Sequence, residues 1–457
     1  MTARVEETHE ESGGRPPLKI DIFYGLLTLG SSTLWSVLTG WLLYFYQAPE
    51  GEGVLLVPPA LYSGVLLVTR VLNAIAAPPI GYWSDRTRTR WGRRLPFIFL
   101  SGLPLLILFV LIWTPPVPGE SIWNLVYLTV VLLLYNLAYT LNQIPYTALL
   151  PEIALTDHHR VRISAWTSGF LLVGVIVSAA AGPLLERLGY AGMALVYALL
   201  TLPLFYLPFL VLRERPARYT APVERPSFLQ DLGSLFRNRA FVIMTVTGIF
   251  YWSASTFIQG VIPFIATEVC LLSPGDTFYF YVAGVLASLI CYPLVMHLSD
   301  KVGKWRVFAA SLLASAAILP GLLIIGERLP LGLGAQGIIW ISLQAVALSG
   351  VTMLPPAFGA EIADYGTELT GQHREGTYYA TWGLLDQLIN GAAVSLLPLI
   401  LLLGRSRLDP RGPLGVRMVG AIGGLMMLVG FFVFLNYPLR GRREPEAEVN
   451  KAQVEAL

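Results

Sequence analysis

Charged side chains are scarce in this sequence. Asp, Glu, Lys and Arg make up only 13% of the 457 residues, about half the share of a typical soluble domain. The two cysteines, Cys270 and Cys291, are too few for a disulfide framework and lack metal-ligand spacing. The net charge of +2 gives no reason to expect nucleic acid as a partner. The sequence therefore argues against a water-covered globular protein and against a fold stapled by cysteines.

Long apolar runs take the place of the missing charge. Hydrophobic residues reach 55% of the chain, and a membrane helix needs about 20 of them in succession to cross the hydrocarbon core. We count twelve such runs and number them spans 1 to 12: 21–46, 58–83, 96–114, 122–147, 163–186, 190–212, 240–266, 278–298, 307–326, 335–357, 377–403 and 416–437. The predicted organisation is a polar arm (1–19), a first six-helix half (20–212), a basic central loop (213–239), a second half (240–437) and a tail (438–457). The polar, acidic arm is unlike a cleaved signal peptide.

Lysine and arginine are distributed unevenly between the two sides of the predicted spans. The side that carries both termini holds 24 of the 31 basic residues, the other side holds 6, and Arg70 alone lies mid-span. Basic residues accumulate on the cytoplasmic side of membrane proteins. We therefore expect an integral protein of the cell (inner) membrane with both termini in the cytoplasm.

The two halves repeat each other. Span 2 ends at "YWSDRTRTRWGRR" and span 8 at "HLSDKVGKWRV", while "YTALLPEI" ends span 4 and "PAFGAEIADYG" ends span 10. The separations are similar, since Asp85 precedes Glu152 by 67 residues and Asp300 precedes Glu361 by 61. Matching order favours a duplicated transporter with its substrate site near the midplane between the halves.

Three stretches carry a family resemblance: "GYWSDRTRTRWGRRLPFI", "IPYTALLPEI" and "AEIADYGTELTGQHREGTYYA". They resemble the glycoside–pentoside–hexuronide:cation symporters, the melibiose-permease-like branch of the major facilitator superfamily. The resemblance runs over roughly residues 20 to 437. It implies an all-α membrane protein of twelve transmembrane helices in two pseudo-symmetric halves. It also implies alternating access of one solute, often coupled to Na⁺ or H⁺.

A first group of candidate residues lies at the predicted cytoplasmic ends of the spans. We interpret them as ion pairs that latch the two halves when that side is closed, and His159 nearby as solvated. The alternative is that the basic residues serve only topology and attraction to anionic lipid; it does not explain acids at matching places. The predicted gate comprises Asp85, Arg86, Arg93, Glu152, Arg160, Asp300, Lys301, Asp364 and Arg374.

A second group lies within the spans, where a charge is costly and rarely accidental. Span 11 carries Tyr378, Trp382, Asp386 and Asn390 at four-residue intervals, and span 4 carries a comparable polar face. Aromatic faces together with amides and hydroxyls suit a sugar pocket, although such residues also pack helices together. The predicted substrate-binding residues are Ser32, Arg70, Asn73, Thr140, Gln143, Trp252, Tyr378, Trp382, Asp386 and Asn390; Trp35, Asn136 and Gln259 lie on the same spans.

The chain departs from its family at the expected ion site. The resemblance aligns Asn73 and Ala77 with two acids of ion-coupled members, Gln143 with a further acid, and Asn390 with a lysine. Na⁺ binding is therefore doubtful, and transport is either uniport or coupled to H⁺ through Asp386. The lone charges Arg70 and Asp386 are expected to meet across the halves, unless Arg70 holds an anionic substrate.

The sequence predicts a secondary transporter of a small organic solute, with a sugar or glycoside favoured. A lysolipid-like amphiphile is the alternative within transport, and a non-transporting scaffold or receptor is the alternative outside it. Membrane-embedded enzyme chemistry would want intramembrane histidines, paired acids or a metal cluster. The expected partners are the solute, a proton if transport is coupled, and membrane lipids, without a cofactor or metal.

Overall fold

The computed structural model describes residues 18–47, 54–154, 157–212, 235–326, 329–370, 375–403 and 414–440. Over these residues the chain is almost wholly helical, as the apolar runs predict, because only helices and closed barrels satisfy their backbone groups inside a bilayer. The α-helices are α1 (Leu18–Tyr46), α2 (Pro59–Arg86), α3 (Leu95–Ile112), α4 (Ile122–Ile153), α5 (Asp157–Ala179), α6 (Ala181–Tyr206), α7 (Arg239–Phe264), α8 (Thr277–Val302), α9 (Lys304–Ile318), α10 (Leu333–Met353), α11 (Pro355–Thr370), α12 (Glu375–Leu401) and α13 (Leu414–Phe434).

These helices correspond to the twelve predicted spans. Within the described part, eleven helical stretches are long and apolar enough to cross a membrane, and Gly391–Leu401 of α12 is a further, shorter apolar stretch. Span 10, predicted over 335–357, corresponds to α10 and the first residues of α11, with a break at Leu354, before two prolines. The chain is an integral membrane protein.

The reversal between spans 5 and 6 lies within α6. Gly189 interrupts the helix with φ 69° and ψ 177°. The Tyr197 hydroxyl donates to Val177 O at 2.9 Å, so these two residues lie side by side. Gly189 is about midway between them in the sequence, where the chain reverses. The sequence predicts this turn between residues 186 and 190.

The repeat seen in the sequence has a structural counterpart after α2 and α8. Gly92 and Gly303 occupy the short turns that follow these helices, with φ values of 107° and 91°. Glycine takes this left-handed region without the steric cost that a Cβ would bring. The two halves therefore reverse direction with the same local chemistry at equivalent places.

The main helix contacts between the halves are those of α1 with α7, α2 with α12 and α5 with α8. We call the end of the bundle where α1 begins and α13 ends the terminal end, and the opposite end the distal end. At the distal end the Tyr44 hydroxyl donates to Thr267 Oγ1 at 3.3 Å, and Glu186 Oε1 accepts from the Gly275 N–H at 2.8 Å. These bonds close the distal end across the two halves.

Candidate functional site

A cavity lies between the two halves, beneath the closed distal end. Its empty volume, which includes space open to solvent, is about 900 Å³. Helices α1, α2 and α4 supply its wall from the first half, and α7 and α12 from the second. The polar and aromatic residues of the wall are Trp35, Thr39, Tyr62, Thr69, Arg70, Asn136, Trp252, Thr256 and Gln259.

Arg70 is the charged group of this cavity. Among the described residues that line it, Arg70 alone carries a charge. Its guanidinium carbon lies 4.9 Å from the centroid of the Trp35 ring, and the Trp35 ring lies 5.5 Å from that of Tyr139. A Cβ placed on Gly391 would lie 2.8 Å from Arg70 Cβ, so the Arg70 stem packs closely against α12. The guanidinium is thus held on an aromatic surface at the junction of α2 and α12.

Helix α7 contributes an open polar face to an otherwise packed element. From Phe241 to Phe264, Trp252 and Gln259 are the exposed residues, and Thr256 between them is half-buried. The spacing of four and three residues puts these side chains on one helix face. That face lines the cavity, so an aromatic ring, a hydroxyl and an amide stand opposite Arg70.

Asn73 and Thr140 form a buried bond between α2 and α4. The Thr140 hydroxyl donates to Asn73 Oδ1 at 2.7 Å. Asn73 is 3% exposed and Thr140 is 5% exposed. Gln143, one turn further along α4, lies 3.4 Å from Asn142 Oδ1 through its Nε2. The structure brings Asn73 and Thr140 together, but Asn73, Thr140 and Gln143 all lie outside the wall of the Arg70 cavity.

Three predicted binding residues point elsewhere. Ser32 packs against Gly174 of α5 and donates to Leu29 O at 3.2 Å. Tyr378 is 6% exposed, and its hydroxyl accepts from Asn238 Nδ2 at 3.1 Å. Trp382 Nε1 packs against α7, at 3.7 Å from a Cβ placed on Gly248. The serine and the tyrosine therefore serve helix packing, and we remove both from the candidate site.

The two remaining span 11 predictions cannot be compared with geometry. The side chains of Asp386 and Asn390 lie outside the described part of the structure. The backbone of α12 does pass beside Arg70 at Gly391. The expected meeting of Arg70 and Asp386 stays a prediction.

At the terminal end, the described ion pairs of the predicted gate lie within each half. In the first half, Arg93 Nε donates to Glu152 Oε1 at 2.9 Å, and Arg94 Nε lies 2.9 Å from the same oxygen. In the second half, Lys304 Nζ lies 3.3 Å from Glu361. Each pair joins the loop after a half's second span to the end of its fourth span. These pairs lie within each half in a structure that is closed at the distal end; the latch between the halves, expected when the terminal end is closed, stays a prediction.

The remaining gate residues that the structure describes have other surroundings. Asp300, Lys301 and Asp364 are exposed. Arg86 stacks on the Tyr82 ring at 4.0 Å, and Arg160 Nε donates to Ala154 O at 3.2 Å. The side chain of Asp85 and all of Arg374 lie outside the described residues.

A buried ionic cluster at the terminal end was not predicted from the sequence. Asp21 is fully buried in the first turn of α1, with Oδ1 at 2.7 Å from His159 Nε2 and Oδ2 accepting from Arg162 Nε. His159 is 4% exposed, so the interpretation of a solvated histidine is wrong. The sequence feature that indicates the cluster is Asp21 itself, an acidic residue at the first position of span 1. The cluster fixes α1 to α5 within the first half.

Comparison with known proteins shows that this chain is similar to membrane transporters. The family model described as MFS/sugar transport protein matches residues 23–440. The putative glycoside/cation symporter YagG of Escherichia coli is 26% identical over 380 residues, covering 80% of this chain and 78% of that protein. The glucuronide carrier protein homolog of the same organism is 26% identical over 424 residues, covering 89% and 90%.

A solved structure shares the fold. It is a bacterial homolog of the human lysosomal transporter Spinster, in an inward-facing and unoccupied conformation. The TM-score is 0.67 at 13% identity, over 94% of this chain and 100% of that one. The likeness supports the two-half architecture in which the Arg70 cavity lies.

Proposed function

The chain belongs to the MFS/sugar transport protein family and is a secondary transporter of the major facilitator superfamily, and on that premise we propose that its solute is a small sugar or glycoside bearing a negatively charged group. The observation that carries the proposal is Arg70, the charged residue of the interhalf cavity, stacked on Trp35. Arg70 is half-buried in the middle of a span, and a cation at that depth in a membrane is costly unless an anion pairs with it. A carboxylate or sulfonate on the solute supplies that partner.

The rest of the wall supports a sugar as the body of the solute. Trp35 and Trp252 offer ring faces, and Asn136, Thr256 and Gln259 offer amides and hydroxyls for sugar hydroxyl groups. Arginine binds carboxylate and related anions through two parallel N–H donors. The glucuronide carrier homolog is named for such a solute, which is a sugar with a carboxylate.

The solute moves by alternating access between the two sides of the membrane. With the terminal end in the cytoplasm, as the distribution of basic residues favours, the closed distal end faces outward. The distal bonds between Tyr44 and Thr267 and between Glu186 and Gly275 then form the outer gate, which must part to admit solute from outside.

Na⁺ does not drive this movement. A Na⁺ site between α2 and α4 would need oxygen ligands and a negative charge nearby, and Asn73 and Thr140 offer only neutral groups that already bond to each other. A unit charge at about 4 Å contributes roughly 4 kcal/mol at an effective dielectric near 20. A Na⁺-independent carrier moves its solute either by uniport or by coupling to H⁺ through Asp386.

A thermal-shift screen of the purified protein tests the proposal. The panel holds hexuronates, methyl glucuronide, sulfonated and neutral sugars, and lysolipids, each with and without Na⁺ and at two pH values. We expect stabilisation by the anionic sugars, loss of that effect in Arg70→Gln, and its retention in the surface variant Arg86→Gln. Stabilisation by neutral sugars alone, or by lysolipids alone, would contradict the anionic solute.

A further inference from the structure

A second cavity lies on the other side of the α1–α7 contact from the Arg70 cavity. On α1, Trp35 and Thr39 face the first cavity while Ser36 and Gly40 face the second. The empty volume of the second cavity, which includes space open to solvent, is about 1050 Å³. Its wall comes from α1 and α5 of the first half and from α7, α8, α10 and α13 of the second. Both halves therefore build this cavity.

The wall of the second cavity is mainly apolar. No charged side chain occurs among its described lining residues, which are mostly aliphatic and aromatic, as at Ile258, Phe280 and Ile341. Val175 and Val285 of the wall are half-buried, so the cavity can be reached from outside. Apolar surface gains free energy in such a space, whereas a charged group would lose its hydration without gaining a partner. A molecule that fits this wall is therefore uncharged and mostly apolar.

Two buried polar groups of the same wall have no partner. Gln344 is 3% exposed, and neither its Oε1 nor the Tyr281 hydroxyl has a hydrogen-bond partner in the described part of the structure. Unpartnered buried polar atoms are rare and call for an explanation. An amide oxygen only accepts hydrogen bonds, and a tyrosine hydroxyl both donates and accepts. A hydroxyl group on a ligand can donate to Gln344 Oε1 and can also bond to Tyr281.

The cavity depends on how the two halves are placed. Tyr281 of α8 reaches across to α1, since a Cβ placed on Gly40 would lie 2.5 Å from its hydroxyl. Alternating access moves one half against the other, so this shared wall changes between the states. A ligand shifts a population towards the state that it binds more tightly. The state that presents this wall has its distal end closed.

We infer that the second cavity is an inhibitory site for a small uncharged alcohol or phenol, whose hydroxyl bonds to Gln344 and whose apolar body fills the space between α5, α7, α8 and α10. When it is bound, this ligand holds the two halves in the distal-closed state and stops the transport cycle. The site is independent of the solute, because neither Gln344 nor Tyr281 lines the Arg70 cavity.

Gly284 provides a direct way to fill the site. It lines the second cavity, and a Cβ added there would meet Ile341 Cγ1 at 3.8 Å and Ala345 Cβ at 4.0 Å, both ordinary contacts. Gly284→Phe therefore places a ring in the space that the ligand would take. Val285→Phe gives the same test should Gly284→Phe fail to reach the membrane. Gly64→Phe is the matched control, because Gly64 is exposed on α2 and a Cβ there meets nothing within 4 Å.

The first experiment titrates the full-length protein in lipid nanodiscs with para-butylphenol and with its methyl ether, para-butylanisole, and subtracts the heat from empty nanodiscs. The two probes share an apolar body, but only the phenol can donate a hydrogen bond. We expect the wild type to bind the phenol about tenfold more tightly than the ether, because only the phenol satisfies Gln344. Gln344→Leu should make the two affinities equal. Gly284→Phe should abolish phenol binding, and Gly64→Phe should retain it.

Three results of the titration would overturn the site. Equal affinities of the two probes for the wild type would show that no hydroxyl is recognised. Undiminished phenol binding by Gly284→Phe or Val285→Phe would place the phenol elsewhere on the protein. Binding of lysophosphatidylcholine in the absence of phenol binding would make the cavity a site for a lipid chain.

The second experiment measures whether the ligand holds the distal end closed. Spin labels at Leu188 of the first half and Leu271 of the second, in a background without native cysteine, report the distance across that end. Adding para-butylphenol should raise the share of short distances in otherwise wild-type protein and leave Gln344→Leu less responsive. An unchanged distance distribution would overturn the inhibitory role. No sugar enters either experiment, so failure here is distinct from failure of the proposed anionic solute.

Discussion

The guanidinium carbon of Arg70 lies 4.9 Å from the centre of the Trp35 ring, in the space between the two halves. Stacking on a ring face leaves the in-plane N–H donors of the guanidinium free for an anion, because those donors point outward from its edge. Trp35 therefore supports the Arg70 guanidinium without occupying its N–H donors.

Removing the Trp35 ring should weaken solute binding, because the ring holds Arg70 in place. We expect Trp35→Leu to lower affinity for methyl glucuronide about fivefold to thirtyfold, since a desolvated cation–π contact contributes about 1–2 kcal/mol. Trp123→Leu is the matched control, because Trp123 is 67% exposed at the start of α4. Titration of both variants measures the effect, and equal affinities in the two would refute the supporting role.

The hydrogen bond between Asn73 and Thr140 leads to an expectation about ions. Replacing Na⁺ by K⁺ at constant pH and ionic strength should leave the uptake of labelled glucuronide into proteoliposomes unchanged. Asn73→Asp, which adds the missing negative charge beside Thr140, should make uptake respond to Na⁺. A strong, saturable Na⁺ dependence of the wild type would rule out the Na⁺-independent mechanism.

Tyr281 of the second half closely approaches Gly40 of the first half beneath the outer gate. A Cβ on Gly40 would lie 2.5 Å from the Tyr281 hydroxyl, so Gly40→Leu should wedge the distal end open. Spin labels at Leu188 and Leu271, in a background without native cysteine, should then report longer distances between the halves. Gly64→Leu is the control, because a Cβ there meets nothing within 4 Å. Unchanged distances in Gly40→Leu would show that this contact does not hold the gate.

The Glu152 pairs should contribute stability within one half rather than gating. Glu152→Gln leaves Arg94, whose side chain is only 10% exposed, without its carboxylate. Breaking a buried pair costs about 3–5 kcal/mol, so the midpoint of thermal unfolding followed by tryptophan fluorescence should fall clearly. Asp300→Asn, at an exposed position of the second half, should leave the midpoint in place. A shift in the interhalf distances without loss of stability would restore the latch interpretation.

The sequence predicts the twelve spans and the repeat because these features are local. An apolar run of sufficient length must be a helix in lipid, and the matching Ser-Asp and Ala-x-x-x-Glu-Ile stretches can be read without knowing any contact. Arg70 could be singled out for the same reason, as a lone charge within a span. The family match over residues 23–440 confirms the resemblance.

The partners of polar residues could not be read in the same way. A helical stripe shows which residues share a face, but the rotation of the helix decides which neighbour that face meets. Ser32 and Trp35 are three residues apart on α1, yet one packs on α5 and the other lines the cavity. Likewise Glu152 had several basic residues within reach in sequence, and only the fold selects Arg93 and Arg94.

Counterflow into proteoliposomes tests the central claim most directly, because it requires only that the carrier exchange its solute and needs no assumption about coupling. Vesicles loaded with unlabelled methyl glucuronide are diluted into a trace of the labelled compound. The account predicts transient accumulation of label by the wild type, partial accumulation by Arg70→Lys and none by Arg70→Gln. Equal counterflow by Arg70→Gln and the wild type, or counterflow with neutral glucosides only, would contradict the role of Arg70 as the anion-binding residue of the transport site.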